Sequence, residues 1–277
     1  MISRLAGALA RGFLVMLMIA TPSLLTPWMG EDSAQVVALV GIAAAILTVS
    51  EYASSYPCLY EFRDAPPFNR IRFTSLFVTV FLISVMCRGM VSPSSLTQFV
   101  QAIGGLVGAG IDFPYSPVRL VILMLPPDAD VSYLLLVRAS AGIAYLISLI
   151  SMIVFFIAIR VGAWPLRGGS FNVWVNLPTF DPTAGGDIVD RLHRDGRINI
   201  ALGFLLPFLM PAAIRGASAM FGEMSFETPQ TMVWTVAAWA FLPTSLFMRG
   251  IAMTRIARMI ATLRKRSETE SAGLVTA

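Results

Sequence analysis

The sequence predicts an all-α protein: a polytopic transmembrane bundle of six spanning helices, with a glycine-rich re-entrant or interfacial helix and a C-terminal amphipathic helix. Three observations predict it. Of the 277 residues, 56% are hydrophobic and only 13% are charged, against about a quarter charged in a typical soluble domain. The mean hydropathy is +0.75. Apolar stretches suited to crossing roughly 30 Å of hydrocarbon, a distance that takes about 20 helical residues, recur six times along the chain.

The first span runs near Gly12 to Met29. Arg4 and Arg11 precede it as they would a signal peptide, but no small-x-small cleavage site follows and the apolar run continues past Pro22 to Trp28, so it reads as an uncleaved helix. The others run near Ala34 to Ser50, Phe73 to Val91, Ala139 to Ile159, Ile198 to Ile214 and Met232 to Met248. Prolines interrupt the first (Pro22, Pro27), fifth (Pro207, Pro211) and sixth (Pro243), each removing a backbone donor and bending the helix. In transporters built from inverted repeats, broken helices recur at matching positions of the two halves. A three-plus-three split here matches helix one with the proline-free helix four, which weighs against that architecture. Small residues offer faces for close helix packing: Gly41 with Ala45, Ser140 with Ala144, and Gly104 with Gly108.

Orientation follows from the basic residues, nearly all of them arginine, because short basic loops stay in the cytoplasm. With the N-terminus inside, the inner side holds Arg4, Arg11, Arg63, Arg70, Arg72, the 160–197 loop and a terminal cluster from Arg249 to Arg266. Only Arg88, Arg119, Arg138 and Arg215 remain outside. Both termini are then cytoplasmic in a bacterial inner membrane. The apolar stretch Leu96 to Ile111 is long enough to upset this count, yet letting it cross would place most of the basic residues outside. Its crowded glycines (Gly104, Gly105, Gly108, Gly110) suit a re-entrant or interfacial helix on the outer face instead, with its irregular backbone covered by protein. On this map Cys58 and Cys87 lie on opposite sides, beyond the roughly 7 Å Cα separation of a disulfide, and two cysteines are too few for a disulfide framework or thiolate cluster.

The spans carry no Asp, Glu, Lys or His near their centres, which weighs against a proton relay or a b-type haem. Arg88 and Arg215 sit toward outer ends; they snorkel to headgroups, pair with Asp112, Asp128, Asp130, Glu223 or Glu227, or grip an anion. In the 160–197 loop, Trp164, Phe171 and Trp174 suit the membrane interface. Asp187, Asp190 and His193, three apart, form a weak metal-ligand candidate. The same residues equally make a surface helix laced by Asp187 with Arg191, Asp190 with Arg194 and Arg191 with Asp195, stopped by Gly196. Residues 249–266 form an amphipathic helix, with Ala252, Ile256, Met259, Ile260 and Leu263 on one face and basic residues opposite. Arg255, Arg258, Arg264, Lys265 and Arg266 are expected at an anionic inner leaflet.

No glycine-rich phosphate loop, paired-histidine metalloprotease helix or nucleophile elbow occurs, so no cofactor and no catalytic residue is assigned. The basic residues follow the inner loops without stacking aromatics, which argues against nucleic acid. The expected partners are the lipid bilayer and other membrane-protein subunits. The leading expectation is a non-catalytic accessory, scaffold or assembly subunit acting through helix contacts. The alternatives are a permease for a neutral or weakly polar solute and a membrane-embedded enzyme using the 160–197 loop.

Overall fold

The computed structural model of the chain describes residues 2–26, 31–162, 164–165, 171–181, 183, 185–221 and 228–275. Among these residues the secondary structure is helical, with no strand: α1 (Ile2–Leu25), α2 (Glu31–Ala53), α3 (Phe68–Gly89), α4 (Ser95–Ile111), α5 (Pro117–Ile122), α6 (Val131–Val161), α7 (Val173–Asn176), α8 (Ile188–Phe221) and α9 (Pro229–Val275). Six of them, α1, α2, α3, α6, α8 and α9, are long and apolar enough to cross a membrane. The chain is a multi-pass helical membrane bundle.

The element ends follow local chemistry. Ser94 caps α4 by accepting from the Thr97 amide, while the Thr97 hydroxyl accepts from the Ser94 amide, so two otherwise orphaned donors are satisfied. Asp130 caps α6 by accepting from the Ser132 amide at 3.0 Å. That cap starts α6 eight residues before the apolar run expected from Ala139. Arg138, which suggests a boundary in sequence, is an internal helix residue whose charge is turned toward Asp112 at 3.9 Å.

Two buried clusters hold the bundle. One joins α3, α4, α5, α6 and α9 through Ile83, Met86, Val121, Ile143 and Trp239. The other lies at the end where the 54–67 and 162–187 connections meet α8 and α9, through Phe62, Phe68, Phe155, Trp164, Leu192 and Met253. We refer to this second end as the Glu61 face and to the opposite end as the Asp112 face. α4 begins beside Gly89 and ends at Asp112, next to Arg138 near the start of α6. Both of its ends therefore lie at the Asp112 face, and it rests across α3 and α6 without crossing the bundle. Gly104 and Gly108 seat it: a Cβ at Gly104 would sit 2.8 Å from Met86 Sδ, and one at Gly108 would sit 2.7 Å from the Arg138 carbonyl. Ser140 is fully buried, its hydroxyl without a partner among the described residues. Gly41 faces Met16 of α1 at ordinary van der Waals distance.

Two expectations are corrected at the Glu61 face. Gly196 does not stop a surface helix: it lies inside α8, where a Cβ would come within 2.6 Å of Thr254 Oγ1 and 3.0 Å of the Gly250 carbonyl of α9. The loop helix and the fifth span are one element because this close approach to α9 satisfies the glycine by packing. Trp164 does not present its ring to lipid or headgroups; it is buried in protein, and its indole donates to the Ala65 carbonyl at 3.1 Å. The side chain of Trp174 and the whole of Pro27 lie outside the described residues.

The helices run continuously through Pro22, Pro207, Pro211 and Pro243. Pro211 has no N–H to give the carbonyl of Pro207, four residues earlier. Instead that carbonyl accepts from Trp239 Nε1 of α9 at 3.0 Å in a buried position. Trp239→Phe is therefore expected to destabilise the protein by about 1–3 kcal/mol, the cost of a buried carbonyl left unpaired. Pro211→Ala, which restores the helical donor, should recover most of that loss. Thermal unfolding of the two single variants and the double variant in detergent measures this; strictly additive effects would count against the pairing.

Candidate functional site

A cavity of about 840 Å³ opens at the Glu61 face between α1, α2, α3 and the Phe241 turn of α9. Its volume falls in the range of small-molecule sites, about 300–1,000 Å³. α1 contributes one stripe, Gly7, Ala10, Arg11, Leu14, Val15 and Met18, at the spacing that keeps residues on one helix face. Thr48 and Tyr52 come from α2, and Asn69, Arg70, Arg72, Phe73 and Leu76 from α3.

The rim is a braced loop. Glu51, buried at the end of α2, accepts from the backbone amides of Cys58, Leu59 and Tyr60 at 2.9–3.2 Å. Arg63 reaches back to the carbonyls of Glu51 and Ser54 at 2.9 and 2.7 Å and pairs with Asp64 at 3.1 Å. Phe62 holds a left-handed backbone (φ 53°), rare for a bulky residue. It is fixed there by full burial, by the ring of Phe68 at 4.4 Å and by its amide donating to the Asn176 carbonyl at 2.7 Å. Across the rim, Arg249 makes a two-pronged pair with Glu61 at 2.6 and 2.8 Å and also donates to Asn199 at 3.1 Å.

The charge balance in the cavity is one-sided. Four arginines line it, and among the described residues no carboxylate does. Arg63 is saturated, as above. The other three form no ion pair with a described carboxylate: Arg11 bonds the Gly7 carbonyl and stacks over Tyr52 at 4.7 Å, Arg72 gives only its Nε to Ser245 at 3.1 Å between the rings of Phe68 and Phe241, and Arg70 makes no hydrogen bond among the described residues. Glu61 is engaged by Arg249 and by the Thr179 hydroxyl. Arg11 and Arg70 are exposed and Arg72 is half-buried, and guanidinium groups without an ion-pair partner at the edge of a membrane need water or an anion beside them. In sequence these arginines serve only to orient the chain. The closeness of Arg63, Arg70 and Arg72 in the chain, together with Tyr60, Phe62, Phe68 and Phe73, is the signal that points to a site, and Arg11 of α1 joins them only in the fold.

The residues singled out in sequence are placed elsewhere. Asp187 caps α8, accepting from the Val189 amide at 2.7 Å, and pairs with Arg264 of α9 at 2.9 Å. Asp190 is exposed and His193 half-buried, and no group of three His, Cys, Asp or Glu among the described residues is placed to hold a metal ion. Arg194 pairs with its neighbour Asp195 at 3.4 Å. At the other face, Asp112 takes Arg119 at 2.8 Å, Arg215 reaches the Leu123 carbonyl, and Arg88 is exposed. Glu223 and Glu227 lie outside the described residues. Arg255, Arg258, Arg264, Lys265 and Arg266 are exposed, whereas Ala252, Met253, Ile256 and Ala257 on the opposite side of α9 are buried against protein. Cys58 and Cys87 are both free thiols.

The Val189 amide, and next the Arg264 guanidinium, hold the Asp187 carboxyl below its usual range. A depressed folded value means the contact contributes above the unfolded value, about 3.9, and fades as pH falls through the lower folded one. The protection of amides at the start of α8, taken relative to their intrinsic exchange at each pH, is expected to drop below about pH 4, and Asp187→Asn should remove that drop. An acid response that survives in the variant would refute the assignment.

An α-helical multi-pass membrane protein with a positively charged cavity at one face is the class that fold and site define. Compared with protein-family models, curated proteins and solved structures, the chain matches none of them.

Proposed function

We propose that this chain is a non-catalytic accessory protein of a bacterial inner membrane whose working part is the anion-binding cavity at the Glu61 face. The observation that carries the reading is the set of three guanidinium groups, Arg11, Arg70 and Arg72, lining one cavity with no carboxylate partner among the described residues. The distribution of arginine supports placing this face, and with it both ends of the chain, in the cytoplasm. A reporter enzyme fused after Ala277 and active only in the periplasm would overturn that orientation. The same charges weigh against a permease for a neutral solute, since uncompensated guanidinium groups gain nothing from an uncharged ligand. The 160–197 region contributes Leu177, Phe180 and Leu192 to the buried cluster, which supports a structural role for it over a catalytic one. The exposed apolar face of α4, with Leu96, Phe99, Ile103 and Leu106, is open to lipid or to another subunit.

Thermal unfolding of the purified protein in phosphate or sulfate, against chloride at equal ionic strength, tests the cavity. A ligand that binds only the folded state raises the transition temperature. The rise is expected in the wild type and in the control R255Q/R258Q/R266Q, and absent in R11Q/R70Q/R72Q. Equal behaviour of the two triple variants would sink the reading.

A further inference from the structure

We infer that the occupant of this cavity is an anionic amphiphile: a phosphate-type headgroup on Arg11, Arg70 and Arg72 with an alkyl chain lying along Leu14, Val15, Met18, Leu76 and Phe241. This deepens the anion-binding reading above and rests on it.

The lining changes character with depth. On α1 the stripe passes from Arg11 to Leu14, Val15 and Met18, and at a helical rise of 1.5 Å per residue Met18 lies about 10 Å further into the span than Arg11. On α3 the same order holds, with Asn69, Arg70 and Arg72 toward the Glu61 face and Leu76 beyond them. Phe241, within the spanning part of α9, lies against the Arg72 guanidinium at 5.6 Å, where the cationic and apolar parts of the lining meet. The cationic half therefore lies toward one membrane face and the apolar half extends inward, the polarity of a lipid-like anion aligned with its own leaflet. Leu14 keeps 41% of its surface exposed within the span, so an alkyl chain can reach the apolar half.

The chemistry of the headgroup follows from the donors. Guanidinium groups bind phosphate through paired N–H donors and remain charged at any biological pH. The terminal nitrogens of Arg72 have no protein acceptor among the described residues, and neither does any nitrogen of Arg70. Arg63, Glu51 and Glu61 are already satisfied and act as the frame. A small inorganic anion would fill only the rim and leave the deep apolar wall without an occupant. A neutral lipid would leave the arginines unpaired.

Native mass spectrometry of the full chain in a non-ionic detergent, titrated with dodecyl phosphate, dodecanol or inorganic phosphate, separates the headgroup from the tail and a lipid source from a free one. One dodecyl phosphate is expected to bind at least about tenfold more tightly than inorganic phosphate, a difference that a few buried methylenes supply, and dodecanol should not bind. Leu14→Trp, at an exposed position, should bring dodecyl phosphate down to the level of inorganic phosphate while leaving the latter unchanged. Arg70→Gln, at an exposed residue whose loss does not threaten folding, should weaken both anions by about tenfold. Equal affinity for the two anions, or no effect of Leu14→Trp, overturns the tail while leaving the anion site standing. If neither anion binds the wild type, or Arg70→Gln changes nothing, the anion-binding reading falls with it.

Discussion

Gly142→Ala is expected to cost the protein about 3 kcal/mol or more, the upper range for overpacking a tight interface, and to leave little folded material after detergent extraction. A Cβ at Gly142 would lie 2.5 Å from the Cα and 2.7 Å from the backbone nitrogen of Gly108 in α4. Both are backbone atoms, so no side-chain rotation relieves the contact; α4 must move off α6. That movement would also unseat Gly104 from Met86 and open the ion pair between Asp112 and Arg138. The control is Gly105→Ala in the same helix, where a Cβ meets nothing within 4 Å. There the change should be neutral or stabilising by up to about 1 kcal/mol, the helix-propensity gain of alanine over glycine. The pair of variants, compared by yield of monodisperse protein and by thermal unfolding, measures the effect. Equal stability of the two would mean that α4 does not dock on α6 through Gly108.

Breaking the pair between Arg249 and Glu61 is the second large effect. Their side chains are only 27% and 12% exposed, and removing one partner leaves the other charge largely desolvated. Arg249→Gln is expected to lose about 3 kcal/mol of stability, the lower end for a buried pair because Arg249 retains some solvent. Glu61→Gln should lose less, since its amide can still accept from the guanidinium and from Thr179. The pair ties α9 to the loop that carries Arg63 and leads into Arg70 and Arg72, so these variants should also loosen the cavity rim. A double-mutant cycle on thermal unfolding reads the coupling; a coupling near zero would show that the two residues act independently.

Much of the helical frame was legible in sequence, because each span must satisfy all of its backbone groups internally and present apolar side chains to lipid. That requirement writes long apolar runs directly into composition, and the six runs correspond to α1, α2, α3, α6, α8 and α9. Helix ends were less legible. α8 extends back to Ile188 and α9 on to Val275, and the two helices are joined beyond the apolar runs by the pair of Asp187 with Arg264. Gly196 and Gly250, far apart in the chain, meet there, with a Cβ at Gly250 only 2.6 Å from the Gly196 carbonyl. A glycine that permits close packing and one that stops a helix look alike in one dimension. The role of Trp239 was hidden for a similar reason: the orphaned carbonyl of Pro207 can be inferred from Pro211, but its donor lies on a different helix.

The sequence by itself determined that this chain is an all-helical multi-pass membrane protein, since hydrophobic run length and the scarcity of charge are local properties that one strand of text records. Only the tertiary structure decided which charges are engaged. Arg249 and Glu61, 188 positions apart, neutralise each other, while Arg11, Arg70 and Arg72 converge on one cavity without an ion-pair partner among the described residues. Glu61 still acts on Arg72 from beyond pairing distance. Electrostatic balance depends on distance in space, and pairing between separate helices leaves no periodicity in the chain from which it can be read.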